Sequence, residues 1–405
     1  MTDDLARRDA QAFLHQTSSS PVRASLRAVQ GMWIEDSDGR RYVDLHGNTA
    51  HLLGHAHPEL CAALVRQLQD LPFCPRRYTN EPAVELAEAL LRRWPSDDAA
   101  VLFAPSGSDA IEIALRMARA ATGRFETISL DGSYHGNGFG ALGLSESALD
   151  PRLGPHLPGR HHATPYWAEN GPERMLADIR RAFASSETGI SAVIAEPIRS
   201  NCHLPPPGLW AEVRDLCDAH GALLIFDEIP SGLGRTGRFF AFEHFGICPD
   251  IAVLGKSLGG GILPLAAVVA RRRLDVAPEL DLGHYTHEKN PMLARAGLTT
   301  LQIIERDGLE DRAWQIGRQL GEGIAAISDN RGRPLATRGI GALLALELPG
   351  SRLGGRELVA RCFAAGLSTT GKGPDAVGLC LPLTVSADDI AETLERIDRL
   401  IANLP

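Results

Sequence analysis

The chain has 405 residues, 44% hydrophobic and 22% charged, an ordinary globular composition and enough for one large core plus a smaller satellite. With 41 basic side chains against 50 acidic ones the net charge is −9. That gives no broad attraction to nucleic acid or to an anionic membrane, so any anionic ligand must meet a local cluster of donors. Apolar runs such as Pro264–Ala270 are too short to span a bilayer, and the mixed charges of Met1–Arg8 do not read as a secretory signal. The cysteines (Cys61, Cys74, Cys202, Cys217, Cys248, Cys362 and Cys380) are dispersed, with no CxxC pair. They call for neither a metal nor a disulfide framework and point to reduced thiols in a cytoplasm.

Residues 1–45 read as an N-terminal arm, in which Trp33–Asp36 and Arg41–Asp44 form a hairpin around Asp38-Gly39. From about residue 50 to 275 short apolar strands alternate with helices. Val101–Phe103 precedes a helix predicted over about 108–121. Ala192–Ala195 precedes a loop and a helix over about 207–219. Ala222–Phe226 leads into a Gly-rich loop, and Ile251–Leu254 ends at Gly255-Lys256. This alternation predicts an α/β fold with a mostly parallel sheet covered by helices on both faces. A composition change near 281–291 introduces a long helix over about 291–306, and the last hundred residues form a smaller α+β domain. The expected division is an arm at 1–45, a large domain at 46–285 and a small domain at 286–405.

In an open parallel sheet, ligands sit outside the carboxyl ends of the strands. Ser106-Gly107-Ser108, Glu196, Asp227 and Lys256 all fall at such ends. A partly desolvated lysine at a strand end has a lowered pKa and forms imines; alone, Lys256 reads as well as a surface lysine, but Gly259-Gly260-Gly261 after it lets a backbone approach a ligand closely. A carboxylate at Asp227 suits a protonated ring nitrogen that acts as an electron sink, or else caps a turn. Ser106-Gly107-Ser108 opens a helix whose free N–H groups suit a phosphate, or is a plain N-cap. Tyr134, beside His135 and Gly136, is an aromatic able to stack on a flat ring, or a buried aromatic. Two nucleotide motifs fail. Gly232–Gly237 fits GxGxxG, but Phe239-Phe240 follows in place of a helix start. Gly255-Lys256-Ser257 imitates the end of a P-loop, but Asp250 stands where its first glycine is needed.

Together these motifs resemble the class III aminotransferases, a subgroup of the fold type I pyridoxal 5′-phosphate (PLP) enzymes. The resemblance runs from the arm hairpin and Gly54-His55-Ala56-His57-Pro58 to Leu381-Pro382-Leu383-Thr384. It is most specific in Asp227–Gly237, with Lys256 following 29 residues after Asp227. It implies the fold type I transferase fold, with residues 46–285 as the PLP-binding domain. It implies that Lys256 is the Schiff-base lysine and general acid/base, and that Asp227 pairs with the pyridinium nitrogen. It also implies that Ile229 packs on the ring opposite Tyr134, that Gly107 and Ser108 hold the phosphate, and that His135 and Glu196 lie in the cofactor site. Thr286 matches the threonine that reaches a neighbouring subunit's phosphate, which implies a homodimer or higher.

The departures bear on substrate. Pro230 stands where the family usually has Gln, and Glu288-Lys289 where it usually has two glycines. Gly378 stands where an Arg commonly grips the substrate carboxylate, and Asn201 where a Glu swings to pair with that Arg. Without a bidentate clamp, the expected substrate carries a bare aminomethyl group. The runs Tyr285–Pro291, Phe73–Asn80 and His46-Gly47-Asn48 resemble a subgroup acting as (R)-1-hydroxy-2-aminoethylphosphonate ammonia-lyases. The expected activity is therefore a PLP-dependent lyase yielding phosphonoacetaldehyde and ammonia. Arg76, Arg77, Arg199, Glu288 and Lys289 are the candidate substrate contacts, and His287 or Glu288 the candidate acid for the leaving hydroxyl. The alternatives are an aminotransferase using a keto-acid acceptor and a PLP-binding protein without turnover; the second lacks a helix-turn-helix or basic arm to support it.

Overall fold

The computed structural model describes residues 2–16, 23–145, 150–154, 156–351 and 353–404; residues 1 and 17–22 of the expected arm lie outside them. The strands, in chain order, are β1 (Leu26–Gln30), β2 (Trp33–Asp36), β3 (Arg41–Asp44), β4 (Ala99–Ala104), β5 (Glu126–Leu130), β6 (Arg160–Ala163), β7 (Ile190–Ala195), β8 (Leu223–Asp227), β9 (Ile251–Leu254), β10 (Ala266–Arg271), β11 (Ala336–Ile340), β12 (Leu343–Glu347), β13 (Leu367–Ser368), β14 (Gly371–Gly373) and β15 (Ala376–Leu379).

The central sheet has the order β4-β10-β9-β8-β7-β5-β6. Only β10 runs antiparallel to its neighbours; the other pairings are parallel. Sheet strands covered on both faces read as continuous apolar runs, and ISAVIA in β7 is buried at every position. Alternate residues of one strand feed two cores. Ala192, Ile194, Ile225 and Val253 face a cluster with Ile111, Ala114 and Ala118 of the helix Gly107–Thr122. Val193, Ala195, Phe226 and Leu254 face the opposite cluster with Trp210 and Val213 of the helix Leu209–His220. That second core continues without a break into Leu320, Ile324, Leu346 and Ile397 of the C-terminal part.

The hairpin β2–β3 pairs as expected, Ile34 opposite Tyr42. The edge of β3 is closed by β13, in parallel register with Leu367 opposite Val43. A separate antiparallel sheet has the order β11-β12-β15-β14. The helix predicted over 207–219 starts at Leu209, because Gly208 stands at its entrance with φ 84° after Pro205-Pro206-Pro207. The helix Thr2–Ala12 was not anticipated. Its charges mask any apolar period, and it presents an exposed Arg7–Asp4 pair one turn apart. None of the helices is long and apolar enough to cross a membrane, among the described residues.

Candidate active site

Strands β4, β7, β8 and β9 run in one direction, so Ser106, Glu196, Asp227 and Lys256 stand together along one edge of the sheet. Asp227 is the last residue of β8 and is buried. Its Oδ2 lies 2.8 Å from His135 Nδ1, and its Oδ1 accepts the Ile229 N–H at 3.1 Å. His135 is sealed under the same carboxylate, and its Nε2 has no partner among the described residues. His135 is thus the support of Asp227 in this site.

Lys256 follows β9 with φ 45° and opens a tight helical turn, Lys256–Gly259. Its side chain keeps solvent contact through the mouth of the cleft while protein atoms crowd it on the other sides. That crowding lowers its pKa, reinforced by Lys372 and Arg199 and opposed by Asp227 and Glu196. A lowered pKa leaves more of the amine neutral and nucleophilic.

The helix Gly107–Thr122 begins beside these groups. Ser106 Oγ accepts the Asp109 N–H at 3.2 Å and donates to Asp109 Oδ2 at 2.6 Å. The N–H groups of Gly107 and Ser108 have no acceptor among the described residues and form a helix entrance suited to an anion. The loop Tyr134-His135-Gly136 closes over this entrance, and Ser108 Oγ accepts the Asn137 N–H at 3.2 Å. A Cβ on Gly136 would meet Ser108 Oγ at 2.6 Å, and its φ is +127°. Ile229 fills the space between Gly107 and Gly255; a Cβ on Gly107 would meet its Cδ1 at 2.8 Å. Tyr134 is half-exposed, with its ring available to stack.

Lys256, Asp227, the Gly107–Ser108 helix entrance, Tyr134 and Ile229 therefore supply an amine, a buried carboxylate, an anion pocket, an aromatic face and an apolar face around one cleft. The Aminotransferase class-III family profile matches residues 15–401. The chain belongs to the class III aminotransferase family. It is 32% identical to the (R)-1-hydroxy-2-aminoethylphosphonate ammonia-lyase of Vibrio splendidus, covering 100% of this chain and 91% of that protein. It is 35% identical to the acetylornithine aminotransferase of Mycobacterium bovis, covering 98% and 94%. Its fold matches the taurine:2-oxoglutarate aminotransferase of Bifidobacterium kashiwanohense, solved with PLP and glutamate, with a TM-score of 0.89, 26% identity and coverage of 99% and 98%. The cofactor of the family is PLP, and this donor set fits it. The fold is the fold type I transferase fold.

The other candidates are distributed differently. Arg199 is ion-paired to Glu196, donates to Gly132 O and to Ser200 Oγ (3.1 Å), and lies 5.7 Å from the Trp167 ring centroid. Its donors are largely occupied within the protein. Arg76, Arg77 and Glu288 line a cavity of about 430 Å³ with Asp275, Asp281 and His284, away from Lys256 within one chain. The segments Phe73–Asn80 and Tyr285–Pro291 do meet: the Phe73 and His287 rings are 5.6 Å apart, and Asn80 Nδ2 donates to Lys289 O at 2.9 Å. Thr286 is exposed. The GxGxxG look-alike packs against the helix Leu309–Arg331, where Trp314 Nε1 donates to Gly237 O at 3.2 Å. Lys372 was not among the candidates. It lies on β14, and its Nζ donates to Ser200 O at 2.6 Å beside the Glu196 loop. Its signal in sequence is faint, a lysine between two glycines six residues before Gly378.

Proposed function

We propose that this family member is an ammonia-lyase converting (R)-1-hydroxy-2-aminoethylphosphonate to phosphonoacetaldehyde and ammonia. The observation that carries the reading is the pair Gly378 and Asn201. Gly378 in β15 offers no side chain, and the amide oxygen of Asn201 accepts the His203 N–H at 3.2 Å. The planar clamp that family transaminases commonly use for a carboxylate therefore has no counterpart at these positions. The full-length likeness to the Vibrio splendidus lyase supports the same reading.

PLP, when bound, supplies the electron sink for the charge left as a C–H bond beside the amine breaks. Asp227, fixed by His135 and Ile229, is the carboxylate that would pair with the ring nitrogen and favour its protonated form. The N–H groups of Gly107 and Ser108 would hold the phosphate, and Tyr134 and Ile229 would pack on the ring. Lys256 Nζ, its pKa lowered by burial, takes the proton from the aminomethyl carbon. The neighbouring hydroxyl leaves as water, and one water returns in hydrolysis to the aldehyde and ammonia, so no keto acid is consumed. The active assembly in this reading is a homodimer in which exposed Thr286 reaches the partner's cofactor phosphate.

A second reading, an aminotransferase on an aminomethyl substrate, is favoured by the 35% identity to acetylornithine aminotransferase. Ammonia release from holoenzyme without any keto acid separates the two. Sustained turnover to an aldehyde supports the lyase. Activity that appears only on adding pyruvate or another acceptor overturns it.

A further inference from the structure

The space that a side chain at Gly378 would need is filled by Lys372. A Cβ on Gly378 would lie 3.1 Å from Lys372 Cε and 3.8 Å from its Cγ. The two residues sit on the paired strands β14 and β15, so the lysine stem lies across the bare backbone of Gly378. The ammonium is carried to the loop after β7, where one hydrogen bond to Ser200 O holds it. An ammonium has three donors, so two remain for a ligand. Among the described residues no carboxylate lies within ion-pair reach of Lys372. The carboxylates nearby are already matched, Glu196 by Arg199 and Glu347 by Arg338. The charge of Lys372 also acts at the cleft, adding to the lowered pKa of Lys256 and of His46, each lowered mainly by burial.

We infer that Lys372 recognises the anionic group of the substrate, standing in from β14 for the arginine absent at Gly378. The substrate's identity as a phosphonate rests on the lyase reading; the anion-recognising role of Lys372 does not. An ammonium is a point charge without a planar fork. Against either a carboxylate or a tetrahedral oxyanion it forgoes the paired hydrogen bonds of an arginine but keeps the charge attraction, which grows with the charge of the ligand. A phosphonate with roughly −1.5 to −2 charge, by analogy with phosphate monoesters, is the matching chemistry. The Ser200 contact holds the ammonium beside the loop that carries Glu196 and Arg199.

The test uses holoenzyme and amines that carry no hydroxyl to eliminate: 2-aminoethylphosphonate, β-alanine and uncharged propylamine. Their dissociation constants are read from the change in cofactor absorbance, for wild type, Lys372→Met and Lys372→Arg. The expected result is 2-aminoethylphosphonate bound roughly 10- to 100-fold more weakly by Lys372→Met, with propylamine changed by no more than about twofold. Lys372→Arg, which keeps the charge, recovers part of the loss. Equal phosphonate affinity in wild type and Lys372→Met overturns the inference, as does an equal loss for propylamine. Dependence on Lys372 seen for β-alanine alone keeps the role of the lysine and refutes the phosphonate substrate.

Discussion

His135 Nδ1 and Asp227 Oδ2 are 2.8 Å apart and both side chains are closed to solvent. A buried charge in such a pair depends on its partner, because no water replaces a lost hydrogen bond. Asp227→Asn keeps the shape and removes the charge, and is expected to lower turnover about a thousandfold, or about 4 kcal/mol in the barrier. His135→Phe removes only the support, and is expected to lower turnover by roughly tenfold to a hundredfold with KM little changed. Steady-state kinetics of the two variants check this; a His135→Phe enzyme as fast as wild type would remove His135 from the site.

The lowered Lys256 pKa makes a statement about the cofactor-free protein. Its folded value lies below the ordinary 10.5, so between the two values the unfolded chain binds more protons and stability from this group rises with pH. Removing the amine removes that slope. Lys256→Met is therefore expected to be more stable than wild type near neutral pH, with the gap closing as pH approaches the unfolded value. Urea unfolding of both apo-proteins across that range measures it, and a gap that widens with pH contradicts it.

Asp44 carries the opposite sign. Burial works to raise its pKa, but the His55 ring at 2.9 Å, the nearby His51 and the N–H groups of Gly47 and His46 outweigh burial and hold it to about 2. The resulting stability is present above the unfolded value of 3.8 and is lost as pH falls through 2. Asp44→Asn is expected to cost about 2 kcal/mol at neutral pH. Denaturation at several pH values should show the difference from wild type shrinking below 3.8; a constant difference would assign the loss to packing.

Gly136 has φ +127° and a would-be Cβ 2.6 Å from Ser108 Oγ. Gly136→Ala strains the backbone and pushes the loop off the helix entrance. PLP affinity is expected to fall by about tenfold or more, read as cofactor lost on dialysis. Retention equal to wild type would mean that the loop does not gate the phosphate pocket.

The sheet strands and the helices at 107–122 and 291–306 were legible because buried parallel strands are unbroken apolar runs and because Asn290-Pro291 is a strong helix start. The ends of β4, β8 and β9 at Ser106, Asp227 and Lys256 were legible too, because their apolar runs stop at or just before those residues. Sequence does not reveal that Glu196, three residues before Arg199, curls back to pair with it. Lys372 escaped for a different reason. Its place depends on a contact with Gly378 across a hairpin and on Ser200 O far away in the chain, and neither leaves a period or a spacing.

The pairing of β3 with β13 has a consequence for synthesis on the ribosome. The strand ends that carry Ser106, Glu196, Asp227 and Lys256 have all emerged once β10 is made, yet β3 then presents a bare edge, and neither Thr286 nor Lys372 yet exists. Until Leu367–Ser368 arrives, the open edge of β3 is a place for a wrong strand to add, so late arrest of translation exposes this chain to aggregation at its first hairpin.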